Sequence, residues 1–346
     1  MNMKNIIFGV AALIIAIISY INILPESGMI VLLYNIVAIV AGFYLLIKGA
    51  DVFVEAASKI ATKFNIPQMV IGLTIVAFGT SLPEAAVSIK GATSGNAGIA
   101  VGNVLGSNIA NVLLILGITS CICTLSIKKN TFRIDMPFVI FISILLLFLG
   151  INGDSLSRVD GIILLILLAI FMVYLIKTAK NGESEENVTL DPKDTMLKMI
   201  IFVIVGAACI VLGSNVTVSS ASYVAGECGM TERLIGLTIV AFGTSLPELV
   251  TSVTAAKKGN ADIAIGNIVG SNIFNILFVV AVASVVSKNP VEFEPAFIKD
   301  GIVAIYAAIL LFICSIKNRK LSKAGGIIMF LSYMVYFGYL IVSNYA

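Results

Sequence analysis

"IGLTIVAFGTSLPE", residues 71–84, recurs letter for letter at residues 235–248. A Pro and a Glu at the end of an apolar run are costly to keep once, and this chain keeps them twice. Their meaning depends on the surroundings. The 346-residue chain is 59% hydrophobic and 12% charged, with a mean hydropathy of +1.07, whereas an ordinary soluble domain carries about 25% charged residues. Runs of about 20 apolar residues cross a bilayer core of about 30 Å as helices. Eleven can be placed, near 5–24, 29–48, 67–93, 97–123, 136–151, 161–177, 199–218, 234–256, 263–287, 300–316 and 325–343. The sequence predicts an all-α polytopic membrane protein.

Composition narrows the chemistry. The chain has no His, which excludes imidazole metal sites and His-based catalysis or proton relays. Its five cysteines (Cys121, Cys123, Cys209, Cys228 and Cys314) lie in or beside apolar runs, with neither zinc spacing nor a disulfide framework. No basic patch interleaved with aromatics points to nucleic acid. The polar stretch 177–194 is mixed in charge and without apolar periodicity, so it reads as a solvated linker between halves. The first run follows Lys4, but "SYINILPESG" (19–28) offers no small-x-small cleavage site, so that run is read as a retained span.

Lys and Arg accumulate in cytoplasmic loops, which orients the span list. Assigned to alternate loops, 17 of the 22 fall on one side, while Lys90, Arg158, Arg233, Lys288 and Lys299 fall on the other. The N-terminus is therefore expected inside and the C-terminus outside, in a cell membrane. The net charge of +3 serves orientation.

The two copies lie 164 residues apart, and the same offset aligns "GNAGIAVGNVLGSNIANVLLIL" (95–116) with "GNADIAIGNIVGSNIFNILFVV" (259–280), 13 of 22 letters agreeing without a gap. Fixed-offset self-similarity marks a duplicated structural unit, and in membrane proteins it marks a transporter built from two halves. The copies begin in the third and eighth spans, an odd number of crossings apart, so they point in opposite directions. Such inverted repeats meet near the membrane midplane. Glu248 should then stand opposite Glu84.

Pro83 and Pro247 cannot donate to the carbonyls of Gly79 and Gly243, four residues back. Broken backbone at membrane depth is tolerated only inside protein or beside a watery cavity, and a bound cation would satisfy it. Glu84 sits one turn after Thr80, and Ser107 one turn before Asn111; the second copy supplies Thr244, Glu248, Ser271 and Asn275. These are carboxylates, hydroxyls and amide oxygens, a set that selects hard cations. Two carboxylates and irregular geometry suit Ca²⁺ better than Mg²⁺, and Na⁺ competing for the same oxygens would make an antiporter. Gly102 and Gly106, with Gly266 and Gly270, read as close helix packing. Asn96, Asn103 and Asn108 recur too; Asn103 extends the polar stripe and Asn108 braces the break, and neither is placed among the ligands.

At these residues the chain resembles the sodium/calcium exchanger family: "GTSLPE" with "GNVLGSN" and "GNIVGSN" looks like its paired alpha repeats, in a compact prokaryotic form. The resemblance runs from about residue 29 to the C-terminus. It implies a ten-helix core of two inverted five-helix repeats, to which this chain adds one N-terminal span, about 11 in all. The expected division is an extra span and connector at 1–28, a first half at 29–177 with its repeat at 71–116, a cytoplasmic linker at 178–198, and a second half at 199–346 with its repeat at 235–280. The resemblance also implies ion ligands: the Ala77 carbonyl, Thr80, Ser81, Glu84, Ser107 and Asn111, and the Ala241 carbonyl, Thr244, Ser245, Glu248, Ser271 and Asn275. Asn275 stands where some relatives, including the potassium-dependent branch, carry Asp, so potassium dependence is not expected.

The implied function is exchange of Na⁺ for Ca²⁺ by alternating access, with those ions and the bilayer as the expected partners and no cofactor, enzymatic activity or protein partner. A Ca²⁺/H⁺ antiporter of the same plan is the alternative, since buried carboxylates can titrate; such relatives usually carry "GNxxE" patterns. A channel using the same oxygens would pass ions without obligatory exchange. An intramembrane hydrolase needs its two acids in different environments, and identical copies supply matching ones.

Overall fold

The computed structural model describes residues 28–93, 98–181, 195–229 and 241–345. The expected span at 5–24, most of the linker and the start of the second repeat copy lie outside the described residues. The rest is helical. Helix α1 spans Met29–Lys63, α2 Gln68–Thr80, α3 Leu82–Thr93, α4 Gly98–Ile122 and α5 Thr131–Ile151, and α6 Arg158–Asn181. The second half repeats the order with α7 Met196–Glu227, α8 Ala241–Thr244, α9 Leu246–Lys257, α10 Ala261–Val286, α11 Pro295–Ser315 and α12 Lys323–Tyr345. Eight described helices are long and apolar enough to cross a membrane, or nine when α2 and α3 count as one broken span.

Several spans extend beyond the apolar windows. α1 continues 15 residues past the expected end at 48, and α7 runs to Glu227 instead of 218. The physical reason is amphipathicity: Asp51, Glu55, Lys59 and Lys63 recur every four residues along one stripe of α1, while Phe53, Val54, Ala57 and Ala61 are buried on the other side. Glu55 and Lys59 pair at 3.0 Å within the stripe. A hydropathy window averages both faces and stops where the stripe begins. α5 and α11 likewise start five residues before their apolar windows.

Four two-residue strands fix the direction of the halves. β1 (Leu125–Ser126) follows α4, β2 (Ser155–Leu156) follows α5, β3 (Val291–Glu292) follows α10 and β4 (Lys320–Leu321) follows α11. β1 pairs with β4, Leu125 opposite Leu321, and β2 pairs with β3, Leu156 opposite Val291, both antiparallel. Helix α5 separates β1 from β2, so the two ladders sit at opposite ends of it. By the repeat, β3 is the counterpart of β1 and β2 of β4. Each ladder therefore joins a loop of one half to the non-equivalent loop of the other, and α5 and α11 run antiparallel. This is the inversion that the odd spacing of the copies predicts.

Burial sorts the helices into centre and rim. In α4 and α10, 78% and 83% of the most apolar window is buried; in α1, α5, α6, α7, α11 and α12 the share is 22 to 39%. The rim helices turn Ile, Val, Leu and Phe side chains outward, as a lipid-facing surface requires. At the rim, α1 and α7 cross very closely. A Cβ on Gly42 would meet the Gly213 carbonyl at 2.8 Å, and one on Gly49 the Gly206 carbonyl at 3.0 Å. Rising numbers on one helix against falling numbers on the other make the pair antiparallel, packed through small residues as membrane helices commonly are. Gly266 and Gly270 of α10 pack in the same way on α2, against Gly72 and Leu73. Gly102 meets only the Phe297 ring, and Gly106 has nothing within 4 Å among the described residues, so the close packing expected of all four is seen at two.

Gly213→Ala is expected to lower the unfolding midpoint of the purified protein, followed by helix ellipticity, by the equivalent of about 1–3 kcal/mol of overpacking. Its new Cβ would lie 2.7 Å from the Gly42 carbonyl oxygen and 2.8 Å from the Leu46 nitrogen, both immobile backbone. Gly338→Ala, with open space around it, is the control and should leave the midpoint unchanged or slightly raised.

Candidate functional site

The repeated motif builds a broken helix. α2 and α3 meet at Ser81 with a bend of 50°, and Ser81 adopts φ −84°, ψ 7°. Ser245, at the same place between α8 and α9, adopts φ −90°, ψ 4°. Pro83 and Pro247 fall in the first turn of α3 and α9, where a missing N–H does no harm. Glu84 and Glu248 then occupy that first turn, at the positive end of the half-helix dipole. The break thus turns one apolar span into a carboxylate beside a favourable helix end.

Glu84 and Glu248 are 1% and 0% exposed, and they are close enough to repel one another. Contacts around them cross from half to half. Ser81 Oγ donates to Glu248 Oε1 at 3.1 Å, and Ser271 Oγ reaches the same oxygen at 3.4 Å. Ser271 Oγ also lies 3.4 Å from the Ala77 carbonyl oxygen, with Thr80 Oγ1 3.3 Å from that carbonyl. Ser245 stands beside Glu84. Ser107 is buried one turn before Asn111, and Thr244 is half-buried on α8, which also carries Ala241. Ala77, Thr80, Ser81, Glu248 and Ser271 are therefore joined directly; Asn275 shares α10 with Ser271, while Glu84 lies on α3, Ser107 and Asn111 on α4, and Ala241 and Thr244 on α8.

Among the described residues, five buried oxygens on these elements have no hydrogen-bond donor: both of Glu84, Oε2 of Glu248, and Oδ1 of Asn111 and of Asn275. Such groups are expensive to bury unpaired. Among the described residues no three His, Cys, Asp or Glu side chains gather at one place, so the site offers two carboxylates and otherwise neutral oxygens. That donor set suits hard cations, which bind oxygen. Asn111 and Asn275 stand where α4 and α10 widen into π-helical turns, residues 110–116 and 275–280, a distortion frequent at functional sites.

Three features went beyond the sequence reading. Asn103 donates to the Glu84 carbonyl at 3.2 Å and to Ser88 Oγ at 3.0 Å, while Asn267 donates to the Glu248 carbonyl at 3.4 Å and to Ser252 Oγ at 2.9 Å. Asn267 also accepts from Thr80 Oγ1 at 3.0 Å. These asparagines and serines brace the carboxylate turns, and their duplication was the available signal. Asn108 and Asn272 bond across the halves to the amides of Asn275 and Asn111, so Asn108 reaches the site instead of only bracing the break. Thirdly, the carbonyls freed by the prolines are not equivalent. Ser214 of α7 donates to the Gly243 carbonyl at 2.8 Å, so that oxygen needs no cation. The repeat places Ala50 at the position matching Ser214, and Gly79 lies under the Phe53 ring.

Ser214→Ala should leave the Gly243 carbonyl without its donor inside the bundle. The expected outcome is a loss of about 1–3 kcal/mol in stability, measured as a lower unfolding midpoint, while Ser219→Ala, whose Oγ bonds to the Val216 carbonyl of its own helix, stays near wild type.

The family described as "Sodium/calcium exchanger protein" matches this chain at residues 34–177 and 198–342. The sodium/calcium exchanger MaX1 of Methanosarcina acetivorans is 30% identical over 344 residues, covering 87% of this chain and 97% of its own. The inner membrane protein YrbG of Escherichia coli is 33% identical over 302 residues, covering 84% and 92%. A solved structure of the sodium-calcium exchanger NCX_Mj superposes with a TM-score of 0.77 at 32% identity, over 88% of this chain and 98% of that one.

Proposed function

Because this chain belongs to the sodium/calcium exchanger family, we propose that it exchanges Na⁺ for Ca²⁺ across a membrane by alternating access at the buried site between its two inverted halves. The observation that carries this reading is the set of five buried oxygens without donors among the described residues, three on the two carboxylates and one each on Asn111 and Asn275, drawn from both halves. A cation is what such a site lacks.

The proposed ligands are the carbonyls of Ala77 and Ala241, the hydroxyls of Thr80, Ser81, Ser107, Thr244, Ser245 and Ser271, the carboxylates of Glu84 and Glu248, and the amide oxygens of Asn111 and Asn275. Two carboxylates balance one Ca²⁺ or two Na⁺, and the neutral oxygens replace water around either. Because the same oxygens serve both, one ion must leave before the other binds, and exchange follows. The near-complete burial of both carboxylates fits a carrier, whose site must not open to both sides at once. The halves are taken as 29–177 and 199–346, joined by a cytoplasmic linker at 178–198, with the N-terminus inside and the C-terminus outside as the Lys and Arg distribution indicates.

Ca²⁺ uptake into proteoliposomes loaded with Na⁺ tests the function directly. Uptake should require the outward Na⁺ gradient; uptake driven by a pH gradient in Na⁺-free medium would show the proton-coupled alternative. Glu84→Gln and Glu248→Gln should each abolish it while leaving a folded protein, since each removes half of the site's charge.

More than two Na⁺ per Ca²⁺ would carry net charge. One elementary charge across 100 mV is worth about 2.3 kcal/mol, roughly a 50-fold shift in the equilibrium ratio. An inside-positive potential set with K⁺ and valinomycin is therefore expected to raise the accumulated Ca²⁺ at a fixed Na⁺ gradient. A ratio independent of voltage would establish neutral exchange instead. For orientation, cysteines placed at Asn344 and at Asn187 in a cysteine-free background should react oppositely with an impermeant reagent on intact cells, Asn344 being the labelled one.

A further inference from the structure

The two amides proposed as ion ligands are each held by an asparagine of the opposite half. Asn111 Nδ2 donates to Asn272 Oδ1 at 3.0 Å, and Asn275 Nδ2 donates to Asn108 Oδ1 at 3.0 Å. Asn108 Nδ2 donates to the backbone carbonyl of Asn272, and Asn272 Nδ2 to that of Asn108, both at 3.3 Å. The four residues form a ring that maps onto itself under exchange of the halves. All four side chains are buried, at 3% exposure or less.

The ring leaves no freedom in which way each amide points. A backbone carbonyl only accepts, so only the NH₂ end of Asn108 or Asn272 can face it. Their Oδ1 atoms must then face the neighbouring amide, where an oxygen can be met only by another NH₂. Asn111 and Asn275 consequently turn their own Oδ1 atoms away from the ring, and these are two of the buried oxygens that have no donor. If either amide rotated by half a turn, an N–H would point where the oxygen now points and would repel a cation, while two oxygens would confront each other in the ring. An Asp at 275 would create that confrontation, oxygen against oxygen at about the 3.0 Å of the present bond.

We propose that Asn108 and Asn272 are positioning residues for ion binding: Asn108 holds the amide of Asn275, and Asn272 that of Asn111, with the oxygen turned toward the cation. This rests on the ion site proposed above. Control of ligand orientation is thereby crossed, each half setting a ligand of the other. The two central helices α4 and α10 are tied together at the level of the site by side chains that themselves need not touch the ion.

Ca²⁺ titration calorimetry of the purified full-length protein in Na⁺-free buffer tests the crossed pairing. Asn275→Leu, which removes a ligand oxygen, is expected to weaken binding about tenfold, the scale of one hydrogen bond to a charged group. Asn108→Leu should weaken it by a similar factor or less, and the double variant Asn108→Leu/Asn275→Leu should bind no more weakly than Asn275→Leu alone, because Asn108 acts through Asn275. Asn108→Leu combined with Asn111→Leu should instead multiply the two losses. Multiplying losses in the Asn108/Asn275 pair, or wild-type binding by Asn108→Leu, would overturn the proposal while leaving the ion site intact. Wild-type binding by Asn275→Leu would remove Asn275 from the site and defeat the ion-site reading on which this one rests. If Asn108→Leu does not fold, the equivalent pair of the other half carries the test: Asn272→Leu/Asn111→Leu should bind no more weakly than Asn111→Leu alone, because Asn272 acts through Asn111. Multiplying losses in that pair would overturn the positioning role.

Discussion

Two carboxylates, each no more than 1% exposed and with no Lys or Arg acting on them among the described residues, are the constraint on which the rest of the structure depends. Charge buried in low dielectric is unstable unless something opposes it. The protein opposes it in part by geometry. Each Glu lies in the first turn of a half-helix created by a proline, where the backbone dipole favours negative charge. The Ser81 hydroxyl of the other half then reaches across to Glu248, joined there by Ser271 of its own half. In the proposed exchange the transported ion supplies the remainder.

Breaking a span inside a membrane creates a second demand, because every exposed backbone group at that depth needs a partner. Here Ser214 on the inner side of the rim helix α7 donates to the Gly243 carbonyl, and Asn103 and Asn267 of the central helices donate to the carbonyls of the two glutamates. α4 and α10 can supply such amides because they are the helices shielded from lipid on most sides. The rim helices carry the lipid-facing surface and close on each other through glycines. A polar centre inside an apolar rim is the same architecture that the composition encodes as 59% hydrophobic residues with few but repeated polar positions.

Inversion lets one set of residues do this twice with opposite direction. The short ladders β1·β4 and β2·β3 join non-equivalent loops at opposite ends of the bundle. Duplication does not make the halves identical, however. Ser214 has Ala50 as its counterpart, Thr80 is fully buried where Thr244 is half-buried, and Gly270 packs tightly where Gly106 does not. A carrier that alternates between two faces needs halves that can exchange roles, and in any one conformation they differ.

The sequence by itself determined the helical class, the inverted duplication and the identity of the charged groups. Those follow from local facts: apolar run length, a fixed offset of 164 residues, and a proline that a helix accepts only in its first turn, so that inside an apolar run it marks a break. The asparagines at 103 and 267 and the serines at 88 and 252 were legible as duplicated positions, though their partners were not. Helix ends escaped notice because a window of mean hydropathy cannot separate the buried face of α1 from the polar stripe beside it. What only the tertiary structure decided is which group meets which: that Ser214 reaches Gly243, that Ser81 meets Glu248 of the other half, and that Asn108 turns the amide of Asn275. Hydrogen bonds depend on position to a few tenths of an ångström, and residues 167 apart in the chain, as Asn108 and Asn275 are, acquire that proximity only when both halves have packed.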